Sequence, residues 1–139
     1  MSCKKVVAVS GGFDPMHIGH VRMIQNAAKI GDVLVIVNSD EWLMRKKGYV
    51  FMPFKERVEI LSSVKGVTSV VHVDDADNTV CEALKRCKPD YFANGGDRKE
   101  KNTPEMSVCE SLDIEMLWNM GGGKIQSSSW LVTDSRKHE

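Results

Sequence analysis

The sequence predicts an α/β fold: a Rossmann-like, doubly wound parallel sheet of about five strands in a single domain. Three observations carry that prediction. Short apolar runs alternate with helix-length segments throughout the chain. The runs are continuously apolar, as in strands buried on both faces, and not alternately polar. Several of them end in Gly-rich turns, and in such folds ligands sit beyond the carboxyl ends of the strands.

The elements follow in order. Val6-Val7-Ala8-Val9, closed by Ser10-Gly11-Gly12, reads as a buried strand and a tight turn. From His20 to Ile30, Val21, Ile24, Ala27 and Ala28 recur at helical spacing, and Gly31-Asp32 stops that helix. Val33 to Val37 is the clearest strand. Trp42 to Met52 is basic and Gly-interrupted, so a loop or a partial helix is expected. Pro53 suits the first turn of a helix running through Val58, Ile60 and Leu61. Val67 to Val73 gives a third strand, Thr79 caps a helix through Cys87, and Tyr91-Phe92-Ala93 is a fourth strand. Pro104 to Leu112 is a helix and Ile114 to Leu117 a fifth strand. Ser127-Ser128-Ser129 caps a last helix, and Thr133 to Glu139 is a polar tail. The domain is therefore expected over 1–132 with a tail over 133–139.

Composition removes several function classes. Nineteen Lys and Arg balance nineteen Asp and Glu, for a formal net charge of zero. Proteins that hold long polyanions carry a basic excess, so no nucleic-acid partner is expected. Cys3, Cys81, Cys87 and Cys109 form no Cys-x-x-Cys pair, which argues against zinc and redox motifs and for small buried hydrophobes in a reducing cytosol. The opening apolar run is too short for a secretory signal, and no stretch approaches membrane-span length. A cytoplasmic protein without a membrane partner is expected.

The chemistry is concentrated in Gly11-Gly12-Phe13-Asp14-Pro15-Met16-His17-Ile18-Gly19-His20. Gly11 and Gly12 let the backbone approach a ligand. His17 and His20 flank Gly19 at a helix mouth, where free N–H groups favour anions. Either histidine alone would be incidental; two at one helix start point to phosphate binding. The spacing is neither a dinucleotide Gly-x-Gly-x-x-Gly turn nor a Walker loop. Gly123-Lys124 is half a phosphate loop, but Ile125 stands in the hydroxyl position. The Arg45-Lys46-Lys47 run is ordinarily a solvated face, Asp74, Asp75 and Asp77 ordinarily a turn before a helix, and the methionines ordinarily packing.

On these residues the chain resembles the nucleotidyltransferase superfamily, with its Gly-x-Phe-Asp-x-x-His-x-Gly-His signature. Asn38-Ser39-Asp40 resembles the end of the second strand in cytidylyltransferase-like members, Glu56-Arg57 their Glu-Arg pair, and Ser127-Ser128-Ser129 their Ser-Thr-Thr. Asn94-Gly95-Gly96-Asp97 is similar to the Gly-Gly-Asp turn of adenylyltransferases that act on heptose 1-phosphate. The resemblance implies transfer of AMP or CMP from a nucleoside triphosphate to a phosphorylated small molecule, with release of pyrophosphate. It implies catalytic roles for His17, His20 and Lys47. Gly12, Phe13, Asp14, Gly19, Gly95, Asp97, Lys124, Ser127, Ser128 and Ser129 would line the nucleotide, and Asp14, Asn38, Lys47 and Arg57 the acceptor. Mg²⁺ is expected with the triphosphate, held by phosphates and water and not by a protein cage. Members of this size commonly pair, so a homodimer is expected, with Trp42, Phe51 and Phe54 as its exposed patch. Gly122 replaces an arginine of the cytidylyltransferases, which tilts the nucleotide towards ATP and the acceptor towards a sugar phosphate. The competing readings are a coenzyme-pathway adenylyltransferase, acting on pantetheine phosphate or a nicotinamide nucleotide, and a nucleotide-binding regulator on the same fold. A class I aminoacyl-tRNA synthetase fragment also carries such histidines, but charge and the missing Lys-Met-Ser-Lys-Ser-like loop speak against it.

Overall fold

A computed structural model describes residues 5–94 and 103–118. Strands Val6–Gly11 (β1), Asp32–Val37 (β2), Val67–His72 (β3), Tyr91–Ala93 (β4) and Glu115–Leu117 (β5) form one sheet in the order β3-β2-β1-β4-β5, and every pairing is parallel. Between them run helices Ile18–Ala28 (α1), Asp40–Lys47 (α2), Phe54–Ser62 (α3), Cys81–Cys87 (α4) and Pro104–Ser111 (α5). The doubly wound α/β expectation is met.

The period of two along each strand explains why both faces are covered. Val7, Val9, Val33, Val35 and Val37 point to one face and pack with Met23, Ile24 and Ala27 of α1 and Leu61 of α3. Ala8, Leu34, Ile36 and Phe92 point to the other and pack with Ala83 and Leu84 of α4 and Cys109 of α5. Cys81 and Cys109 are buried free thiols, as small hydrophobes would be.

One glycine is fixed by a close approach. A Cβ on Gly31 would lie 2.1 Å from the Lys5 carbonyl oxygen, so only glycine can end α1 there and hand the chain to β2.

Of the loop or partial helix expected over Trp42 to Met52, the structure shows the partial helix, which runs over Asp40–Lys47. Ser39 Oγ accepts from the Trp42 N–H at 3.0 Å, Asp40 and Glu41 lie in the first turn, and Arg45, Lys46 and Lys47 lie in the last. Gly48 closes α2 at φ +83°. Leu43 is its one buried residue, so no apolar stripe announced it. Thr79 does not cap α4 directly: Val80 holds that position, and the Thr79 hydroxyl accepts from the Cys81 N–H at 3.3 Å. The last helix and the tail lie outside the described residues.

The strand order reverses direction at β1. Chain leaving β1 moves outward through β2 to β3, then returns to β4 on the opposite side. Such a switch point opens a crevice at the carboxyl edge, and the β1–α1 turn lies at its mouth.

Candidate active site

The turn from Gly11 to His17 is shaped by packing before chemistry. Phe13 is buried, with φ +54°, a left-handed conformation rare for an aromatic residue. Its ring meets His20 edge-on, centroids 4.9 Å apart. A Cβ on Gly12 would lie 2.9 Å from Leu43 Cδ2 and 3.3 Å from Trp42 Cζ3, so this glycine admits α2 against the turn. The expected reason, room for a ligand, is joined by a packing one.

His17 and His20 stack with centroids 3.9 Å apart. They cap α1 reciprocally: the Gly19 N–H donates to His17 Nδ1 at 3.0 Å, and the His17 N–H donates to His20 Nδ1 at 3.1 Å. An Nδ1 that accepts carries no proton, so each neutral ring holds its proton on Nε2. Burial lowers the pKa of His17. Burial, and then the neighbouring His17, pushes His20 down to about 3. At neutral pH the α1 mouth therefore presents two neutral Nε2–H donors beside a helix N-terminus, an arrangement suited to phosphate oxygens.

Asp14 is buried and holds a loop. Its Oδ1 accepts from the Met52 N–H at 2.5 Å, and its Oδ2 from the Phe51 N–H at 2.7 Å and from Lys47 Nζ at 3.1 Å. Lys47 Nζ also donates to the Asp14 carbonyl and lies 4.7 Å from the Tyr49 ring centroid.

Arg57 is 1% exposed. Its guanidinium donates to the carbonyls of Met52 at 2.9 Å, Gly12 at 2.8 Å and Asn38 at 2.7 Å, and to Asp40 Oδ1 at 2.6 Å. Asn38 donates its side-chain amide to Asp75 Oδ2 at 3.1 Å and its own N–H to the Gly11 carbonyl at 3.0 Å. Asp14, Asn38 and Arg57, expected on the acceptor side, are all engaged within the protein. Their polar atoms hold the three loops that converge at the site.

Sequence reasoning missed Asp75. It is 4% exposed and accepts from the Ser39 N–H at 2.8 Å and the Ser39 hydroxyl at 2.6 Å, besides Asn38. Asp74 and Asp77 are the turn residues expected, each accepting from an N–H two positions on. The signal separating Asp75 from them is the adjacency of β3 to β2, which no local pattern states.

The structure thus brings together Gly12, Phe13, Asp14, His17, Gly19, His20, Asn38, Lys47 and Arg57. Gly95, Asp97, Lys124, Ser127, Ser128 and Ser129 lie outside the described residues. Of the expected dimer patch, Phe51 is 61% exposed, while Trp42 and Phe54 are half-buried. No group of three His, Cys, Asp or Glu residues among the described residues could hold a metal ion. No helix among them is long and apolar enough to cross a membrane.

Fold and site define a parallel α/β domain with two stacked neutral imidazoles at its topological switch point, their Nδ1 atoms holding the N–H groups at the start of α1. Residues 8–129 match the cytidylyltransferase-like family, and the chain belongs to it. It is 40% identical over 114 residues to the bifunctional protein HldE of Nitratiruptor sp., covering 80% of this chain and 24% of that protein. It is 36% identical over 95 residues to an FAD synthase of Ferroglobus placidus, covering 68% of this chain and 60% of that enzyme. The chain thus spans about a quarter of the bifunctional relatives it matches. A solved lipopolysaccharide core biosynthesis protein from Thermoplasma volcanium shares the fold, with a TM-score of 0.68 at 21% identity, covering 84% of this chain and 96% of that one.

Proposed function

We propose that this chain is a nucleotidyltransferase that moves AMP or CMP from a nucleoside triphosphate to a phosphorylated small molecule, releasing pyrophosphate. One observation carries the reading: two stacked neutral histidines at the α1 mouth, each with Nδ1 tied to the main chain and the proton on Nε2. A phosphate oxygen of the acceptor attacks the α-phosphorus in line, and the bond to the β-phosphate oxygen breaks. The attacking group is already anionic, so the protein positions the partners and offsets developing charge. His17 and His20 donate to the phosphates as that charge grows. Lys47, held by Asp14, supplies the cation on the acceptor side. Mg²⁺ supplies further neutralisation when it arrives with the triphosphate; the site's carboxylates, Asp14 and Asp75, are engaged by N–H and O–H donors.

ATP as nucleotide and a sugar phosphate as acceptor are the finer form of the proposal, resting on the sequence at Gly122 and at Gly95-Gly96-Asp97. The likeness to an FAD synthase favours the second reading, a coenzyme-pathway adenylyltransferase. Work in a reducing cytosol fits the free thiols Cys81, Cys87 and Cys109. A pyrophosphate-release screen, crossing each nucleoside triphosphate with a panel of phosphorylated acceptors, tests the whole. Binding of a triphosphate without turnover of any pair would make the chain a nucleotide-binding regulator.

A further inference from the structure

Phe13 links the end of β1 to the histidines. Its main chain is left-handed, and the residue is 3% exposed in the same apolar cluster as Val9, Met23 and Ile24. A residue with a Cβ adopts that conformation at a cost the surrounding structure has to offset. The ring lies back against β1: a Cβ on Gly11 would meet three of its carbons at 3.4, 3.4 and 3.7 Å. It also meets His20, with the planes at 68°. Three contacts thus hold His20: the Phe13 ring, the stacked His17 ring and the His17 N–H on its Nδ1. Charged groups do little there. His17 is the neighbour whose charge bears on His20. Arg22 of α1 is exposed, β1 has no titratable side chain, and Asp32 lies at the amino end of β2, far from the start of α1. The Asp14 carboxylate is taken by Phe51, Met52 and Lys47.

We propose that Phe13 is a positioning residue of the site: its ring, carried on the left-handed main chain, keeps the His20 imidazole dry and aimed. This rests on the proposed phosphate role of His20, through which Phe13 acts. Without the ring, water reaches the imidazole and its charged form becomes accessible. A protonated Nδ1 no longer accepts the His17 N–H, so dryness, aim and the cap are lost together.

Phe13→Leu tests this, because leucine bears the same left-handed main chain without a flat ring; Phe13→Met is a second, more adaptable replacement. Val35→Ala, a buried change in the same cluster on β2, is the control for lost packing. Two measurements are made on the full chain. One is the His20 titration by nuclear magnetic resonance. The other is pyrophosphate release from ATP or CTP with hexopyranose 1-phosphate, glycerol 3-phosphate or flavin mononucleotide. In both Phe13 variants the His20 midpoint should rise by roughly one pH unit or more. Their kcat should fall roughly ten-fold or more, with a smaller change in KM. Against wild type on the same acceptor, their kcat profile should gain an acid limb at the new midpoint. Val35→Ala should change none of these. An unmoved titration or an unmoved kcat in both Phe13 variants overturns the proposal, and so does an equal effect in Val35→Ala. A shifted His20 titration, with no pyrophosphate released from any pair by wild type, would sink nucleotidyl transfer and uphold the hold of the ring on His20.

Discussion

At the residue scale, each histidine caps through Nδ1 and leaves Nε2 for the proposed phosphate contact. His17 Nδ1 caps α1, so His17→Ala should cost about 1 kcal/mol of stability, measured by urea unfolding, besides slowing turnover roughly a hundred-fold or more. His17→Asn separates the jobs: its carbonyl can keep the cap, so stability should recover while turnover stays low. Wild-type turnover in His17→Ala and His20→Ala would end the charge-stabilising role. Titration adds an independent check. The folded-state pKa of His20, about 3, lies below its ordinary value of 6.5, so the unfolded chain binds the extra proton between those limits. Its stabilising contribution is complete above pH 6.5 and is lost as pH falls towards 3. By nuclear magnetic resonance the His20 ring should show no titration between pH 8 and pH 5. A midpoint near 6.5 would contradict the buried neutral pair.

At the element scale, site precision depends on how α2 is mounted. Asp75 accepts from Asn38 and Ser39, and Ser39 caps α2. Asp75→Asn keeps the shape but loses the charge these donors face, and should destabilise by about 2 kcal/mol in chemical unfolding. Arg57→Lys offers three N–H groups from one nitrogen where the planar fork meets three carbonyls and Asp40, and should lose about 3 kcal/mol with a fall in kcat larger than any rise in the nucleotide KM. An Arg57→Lys protein as stable and active as wild type would show the bridge to be dispensable. These mounts also mark where the sequence was legible. Val33 to Val37 announced β2 because a strand covered on both faces must be apolar throughout. The histidine turn was legible because its residues are contiguous. Helix α2 was legible only as a loop or a partial helix, although Ser39, the paired acids, the three basic residues and Gly48 are all helix-end signals, because one buried leucine makes no periodic stripe. Asp75 was read as a turn residue and Arg57 through the Glu-Arg pair it resembles, yet their partners lie 36 or 37 positions away for Asp75 and up to 45 for Arg57. Only strand order brings them together.

At the scale of the whole molecule, one nucleotide should be clearly preferred, because a site that hydrogen-bonds one base leaves polar groups unpaired with another. Isothermal titration with ATP, CTP and Mg²⁺ should show tighter ATP binding; tight CTP binding with no ATP signal would reverse that choice and leave the family assignment intact. Light scattering at micromolar concentration addresses the proposed homodimer, whose expected patch is the exposed Phe51 with the half-buried Trp42 and Phe54; the mass of a single chain would exclude it.

The middle position of β1 bears on how the chain is made. Its first partner, β2, follows at once, but the contact from the Val6 N–H to Asp90 spans 84 positions. On the ribosome, β1, β2 and β3 can line up as they emerge, with α1 and α3 covering one face. The other side of β1 stays open until β4 is synthesised, so the crevice has only one wall for most of translation. A nascent chain arrested before Tyr91 should be readily cut by protease, and one that has cleared β5 should resist. Ligand capture at the proposed site should therefore be a late event in the life of each molecule, coming only after the second half of the sheet has closed on the first strand made.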